Sequence, residues 1–208
     1  MTSWIVSVDL GQAADFTAIS VSSKAPTKVV KLERPPLGTA YLDIAKRIGE
    51  ICRSPALVLG VDLLVDATGV GRPVLEMIKK EVQKVTMTGT VQVRVVPILI
   101  TGGAHVTRDD KGFWHVPKTV LVSSLQVALQ EKSLSVVRSL EMASILTKEM
   151  QSFQMNVKAS GNTSFEALRV RDHDDLVLAV AQTAWWVART RPNSMAFKCE
   201  MIKSSFST

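Results

Sequence analysis

Three β-prone runs crowd into the first 34 residues, and from there the periodicity of this 208-residue chain alternates between helix and strand. Residues 4–10, residues 16–23 and TKVVKLER at 27–34 are rich in β-branched and alternating apolar residues, which reads as strand, turn, strand, turn, strand. RPPLG stops that run. From Ala40 to Cys52 the apolar residues Tyr41, Ile44, Ala45, Ile48 and Ile51 fall at helical spacing, and ALVLGVDLLVDATG reads as a buried fourth strand ending at Asp66. GVGRPVLEMIKKEV opens with glycines and a proline, as helix starts do. VQVRVVPILI at 91–100 predicts a strand with one partly solvated face, and residues 101–117 an exposed loop or hairpin. Helices are expected at 118–131 and 139–153 around a short β-like LSVV at 134–137, with a break at ASGN. A last helix from near Asp172 carries Leu176, Val177, Val180, Ala181, Ala184, Val187 and Ala188 as a broad apolar stripe. This order implies an α/β fold: a mixed central sheet, three antiparallel strands then parallel ones, flanked by helices on both faces. One domain is expected over 1–191, with 192–208 as a flexible tail.

Lysine and arginine outnumber the acids 25 to 19, a net charge of +6, which attracts polyanions such as nucleic acid or acidic membrane surfaces. Cys52 and Cys199 are far apart and lack any Cys-x-x-Cys or histidine pairing, which argues against a disulfide framework and a structural zinc site. No apolar run is long enough to span a bilayer, and MTSWIVSVDL meets a charge too early for a signal peptide. A soluble, cytoplasmic protein is expected.

The acids fall where such a sheet gathers ligands. Asp9 stands where the first strand gives way to its turn, Asp66 at the end of the fourth strand, and Asp172, Asp174 and Asp175 at the start of the last helix. Packed carboxylates repel one another and are most easily tolerated when divalent cations neutralise them; hard oxygen ligands suit magnesium or manganese rather than zinc. The bland alternative is that these acids cap and turn the chain, with Gly11 supplying a positive φ. The residues alone point to a metal site without naming a reaction.

Together, VDLGQAADFTAISV (8–21), LLVDATGVGRPVLEMI (63–78), FWHVPKTVLVSSLQVALQ (113–130) and RDHDDLVLAVAQTAWW (171–186) resemble the nuclease domain of phage terminase large subunits, from about Trp4 to Arg191. The resemblance implies an RNase H-like three-layer fold and a metal-dependent DNA endonuclease that cuts concatemeric viral DNA during genome packaging, with two Mg2+ or Mn2+ ions. By position, Asp9 and Asp66 match catalytic metal-binding acids, one of Asp174 and Asp175 matches the third, with Asp175 favoured as the second of the pair, and Asp15 matches an auxiliary acid. His173 is a ligand in part of the family, and at a helix start it also reads as a local hydrogen-bonding residue. Double-stranded DNA is the implied substrate, and Arg72, Arg108, Lys111, Lys118, Arg169 and Arg171 are candidates to hold its backbone, with 101–117 as a mobile hairpin over the groove.

The resemblance further implies partnership with an ATPase motor domain, a small terminase subunit and a portal protein, in a host cytoplasm. No Gly-x-x-x-x-Gly-Lys-Ser/Thr pattern occurs, so an isolated nuclease domain is expected. A Holliday-junction resolvase-like nuclease and a non-catalytic DNA-binding or assembly module are the rival readings; an actin-like ATPase needs two lobes, more than 208 residues hold. Trp185 and Trp186 read as core, and Trp114 and His115 as either packing or nucleic-acid contacts.

Overall fold

The computed structural model describes residues 2–11, 15–69, 71–87, 89, 91–159 and 174–190. Within them lie eight strands and five helices: β1 (Trp4–Asp9), β2 (Ala18–Lys24), β3 (Thr27–Glu33), α1 (Tyr41–Cys52), β4 (Val61–Asp66), α2 (Gly71–Met87), β5 (Val93–Thr101), β6 (Thr107–Arg108), β7 (Trp114–Pro117), α3 (Lys118–Gln130), β8 (Leu134–Val136), α4 (Ala143–Ala159) and α5 (Asp175–Thr190). The strands form one mixed sheet in the order β6-β7-β5-β4-β1-β2-β3-β8. β1, β2 and β3 pair antiparallel, whereas β4 joins β1, β5 joins β4 and β7 joins β5 in parallel. The fold is mixed α/β, with antiparallel strands leading into parallel ones, as anticipated.

Side-chain alternation sorts the core into two layers. Val6, Val8, Ile19, Leu63 and Val65 pack under α1 and α2, while Ile5, Ala18, Leu64, Val96 and Ile98 pack under α3, α4 and α5. All six residues of β4 are buried, as a central parallel strand covered on both faces requires. The same alternation puts Ser7 on the α5 side, where its hydroxyl meets that of Thr183 at 2.7 Å. Asp9, two residues on, faces the same way. Among the described residues no helix is long and apolar enough to cross a membrane.

Several expectations are corrected. Residues 55–57 form a 3₁₀ turn, and β4 begins only after Gly60, whose φ of +93° suits glycine and breaks the apolar run. Of the two readings of 101–117, the hairpin holds, since β6 and β7 pair antiparallel, and β7 is in addition a strand of the main sheet. Tight turns at Leu140 and Ala143 delay α4 to Ala143, and α5 starts at Asp175. Asp172 and the tail 192–208 lie outside the described residues.

Candidate functional site

Parallel pairing of β1 with β4 sets Asp9 directly beside Asp66, each the last residue of its strand. α5 packs over this face with its first turn at the same end, so Asp174 and Asp175 approach the pair. Asp9, Asp66 and Asp175 are buried, at 8%, 6% and 6% exposure. Burial raises the pKa of Asp9 well above the ordinary carboxylate range, and the charges of Asp66, Asp175 and then Asp174 push it further. Asp66 is also raised by burial, though less freely, since its carboxylate accepts hydrogen bonds from Thr68 and Asp9. The Thr68 amide donates to Asp66 Oδ1 at 2.8 Å. Ionising this pair is therefore costly, most of all at Asp9.

Gly11 makes this turn possible through close approach. A Cβ there would lie 2.2 Å from the carbonyl oxygen of Asp15 and 2.5 Å from the backbone of Phe16. Its φ is not in the left-handed region, so the expectation of a positive φ is corrected. The Gly11 amide donates to Thr17 Oγ1 and its carbonyl accepts from the Tyr41 hydroxyl, both fastening the chain just past Asp9.

Two residues that the sequence did not single out complete the site. Arg34, just past β3, forms an ion pair with Glu149 of α4 and lies 3.4 Å from Asp175 Oδ2. Glu149 Oε2 accepts hydrogen bonds from the amides of Leu176 and Val177 at 3.1 and 3.3 Å. These are first-turn amides of α5 without intrahelical partners, so α5 is capped from a distance by α4. Burial nonetheless holds the Glu149 carboxyl above its usual value, against the pull of Arg34 and the two amides. Lys118, the first residue of α3, binds Asp174 Oδ2 at 2.6 Å. Lys118 and Arg34 thus already engage Asp174 and Asp175 where α5 begins.

Among the described residues, no three histidine, cysteine, aspartate or glutamate side chains are drawn together closely enough here to hold an ion between them. Asp15 is exposed in the turn after β1. Arg72, Arg108 and Lys111 are exposed, Arg72 in the first turn of the helix that follows Asp66. Arg169, Arg171 and His173 lie outside the described residues. Trp185 and Trp186 are buried as expected, and Trp114 packs against both. His115 faces Asp109 at 3.4 Å and His105 is exposed.

No protein-family model matches the sequence, and no curated protein does. Solved structures do. The nuclease domain of the human cytomegalovirus terminase, soaked with manganese and bound to an inhibitor, superimposes with a TM-score of 0.54 at 13% identity, over 87% of this chain and 81% of that one. The large terminase nuclease of the thermophilic phage G20c gives 0.55 at 15% identity, over 86% and 80%. This chain has the terminase nuclease fold. The G20c nuclease with bound magnesium superimposes equally well, with a TM-score of 0.55 at 18% identity, over 88% of this chain and 80% of that one. The similarity in fold extends over 86% to 88% of this chain.

Proposed function

We propose that this chain is a divalent-cation-dependent endodeoxyribonuclease of the terminase type, cutting concatemeric viral DNA during genome packaging. The observation that carries the reading is the buried meeting of Asp9 with Asp66, with Asp175 and Asp174 beside them, at the strand ends of a terminase nuclease fold. Four carboxylates in one electrostatic cluster form a hard-oxygen donor set, and the mutual repulsion that raises Asp9 is what a divalent cation relieves. Asp9, Asp66 and Asp175 would hold Mg2+ or Mn2+, with Asp174 in support and Asp15 at the margin. Two such ions would supply polarisation of the attacking water and neutralise charge on the leaving 3′ oxygen.

The chain's own residues do the positioning. Thr68 orients Asp66 through its amide and hydroxyl. Arg34, set by Glu149 and stacked 5.0 Å from the Phe16 ring, orients Asp175, and Lys118 orients Asp174. The exposed Arg72, Arg108 and Lys111 would hold the DNA backbone, with Lys118 at the acids; Arg169 and Arg171 are further candidates by sequence alone. In the parent assembly the nuclease, spanning 1–191, works with an ATPase motor, a small terminase subunit and a portal.

Plasmid nicking in manganese tests this. Asp9→Ala is expected to lower the rate on the order of 100-fold or more while circular dichroism shows an intact fold. Undiminished cutting by a well-folded Asp9→Ala protein would overturn the assignment.

A further inference from the structure

Three of the four acids have one carboxylate oxygen engaged by a residue from another part of the chain. The Thr68 amide donates to Asp66 Oδ1 at 2.8 Å. The Thr68 hydroxyl also serves Asp66, and is itself fixed by the Ile100 amide of β5, which donates to it at 2.7 Å. The Arg34 guanidinium lies 3.4 Å from Asp175 Oδ2, an atom buried away from solvent. Glu149, fastened in turn to two amides of α5, fixes that guanidinium. Lys118, the first residue of α3, donates from Nζ to Asp174 Oδ2 at 2.6 Å, the two side chains being 20% and 25% exposed.

A carboxylate has two oxygens, and a large cation readily uses both. Ca2+ gathers about six to eight oxygens, often two from a single Asp or Glu, in a shell of loose geometry. Mg2+ is smaller, holds to an octahedral shell, retains several waters and needs only one or two carboxylates. In Asp66, Asp174 and Asp175 one oxygen is committed to the protein. While those bonds stand, each of the three acids offers a cation at most one oxygen. To take both, a cation must strip a hydrogen bond or an ion pair from a partner that is anchored elsewhere. At Asp175 the cost is compounded, because moving Arg34 takes the counter-charge from buried Glu149.

We propose that Thr68, Arg34 and Lys118 are specificity-determining positioning residues: by claiming one oxygen each of Asp66, Asp175 and Asp174, they fit the acids to a small octahedral cation and against Ca2+. The inference rests on the reading of these acids as a cation site, and deepens it by naming what makes the choice of ion. Lys118 thereby acquires a role at the acids beside its candidacy as a DNA contact.

The test is displacement of Mn2+ from the protein by Mg2+ and by Ca2+, read from the electron paramagnetic resonance signal of the free Mn2+ ion, so that binding is seen apart from cutting. Half-displacement by Ca2+ is expected to need a concentration at least about 10-fold above that of Mg2+. Lys118→Met removes the hold on Asp174. The double variant Arg34→Met/Glu149→Gln removes that on Asp175, while a glutamine at position 149 still offers the α5 amides an acceptor. Each is expected to narrow the gap between the two ions by about 3-fold or more, whereas Lys118→Arg, which keeps a donor for Asp174, is expected to preserve it. Loss of a positive charge favours both divalent ions alike, so the ratio carries the answer. If the double variant fails to fold, Lys118→Met decides. A gap of the original width in every variant that folds, or an unmodified protein that takes Ca2+ as readily as Mg2+, would overturn the selectivity and leave the cation site standing. Failure of the unmodified protein to bind Mn2+ would overturn the cation-site reading and this inference with it.

Discussion

Strand β4 carries an aspartate near each end, Asp62 and Asp66, both turned toward α5 and both buried. Burial works against ionisation at either position. At Asp62, hydrogen bonds from Arg94 and Trp186 and the charges of Arg94 and Lys24 overcome it, and the pKa falls below the ordinary value. The Arg94 guanidinium grips both oxygens at 2.9 Å, and Trp186 Nε1 donates at 2.8 Å. At Asp66, hydrogen bonds from Thr68 and from Asp9 across the strands do not overcome burial, and the pKa rises. The same strand and helix thus produce a neutralised end and a charge-deficient end. What accompanies a buried carboxylate, more than burial itself, separates a structural acid from one set up to receive a cation.

The largest effect is expected at the neutralised end. Asp62→Ala leaves Trp186 Nε1 buried without its acceptor and Arg94 and Lys24 without their shared partner, and should cost about 3 kcal/mol. Urea denaturation measures this. A negligible change would break the comparison, because Asp62 would then be no better placed than Asp66.

Glu149→Ala tests what holds the other end together. It removes the acceptor for two first-turn amides of α5 and the buried partner of Arg34, for an expected loss of about 2 kcal/mol. The same denaturation experiment reads it. A loss confined to a few tenths would mean that α5 is positioned by its apolar stripe alone.

The smallest effect has the opposite sign. Because the Asp9 pKa is raised in the folded state, the folded protein binds a proton more tightly than the unfolded chain does. The stability this contributes is complete below the ordinary carboxylate pKa and is lost as pH climbs through the raised folded value. Without divalent cation, Asp9→Asn should therefore be more stable than the unmodified protein at neutral pH, by a few degrees in Tm, or about 1 kcal/mol. The advantage should vanish in acid. Thermal melts in chelator across that range check both, and a lower Tm for Asp9→Asn at neutral pH would contradict the electrostatic picture.

Much of this was legible in the sequence for physical reasons that can be named. Asp9 and Asp66 end strongly apolar runs, so their places at adjacent strand ends follow once the strands pair in parallel, and the broad apolar stripe of α5 announced its burial with both tryptophans. Arg34 and Glu149 were not legible. Arg34 stands in RPPLG, which reads only as a strand stop, and Glu149 sits on an amphipathic helix, where an acid reads as solvated; their pairing exists only once β3, α4 and α5 have packed. β7 was hidden because four residues ending in proline are too few to display a strand period. The role of Gly11 was misassigned, since the approach of the Asp15 carbonyl is a tertiary fact.

The most direct measurement is Mn2+ binding by calorimetry to the unmodified protein and to Asp9→Asn. Saturable binding in the first, weakened at least about 10-fold in a folded Asp9→Asn, is the expected result, because a metal-binding acid would have lost its charge. Equal affinity in the two proteins, or no binding to either, would contradict the claim that these buried acids form a cation site.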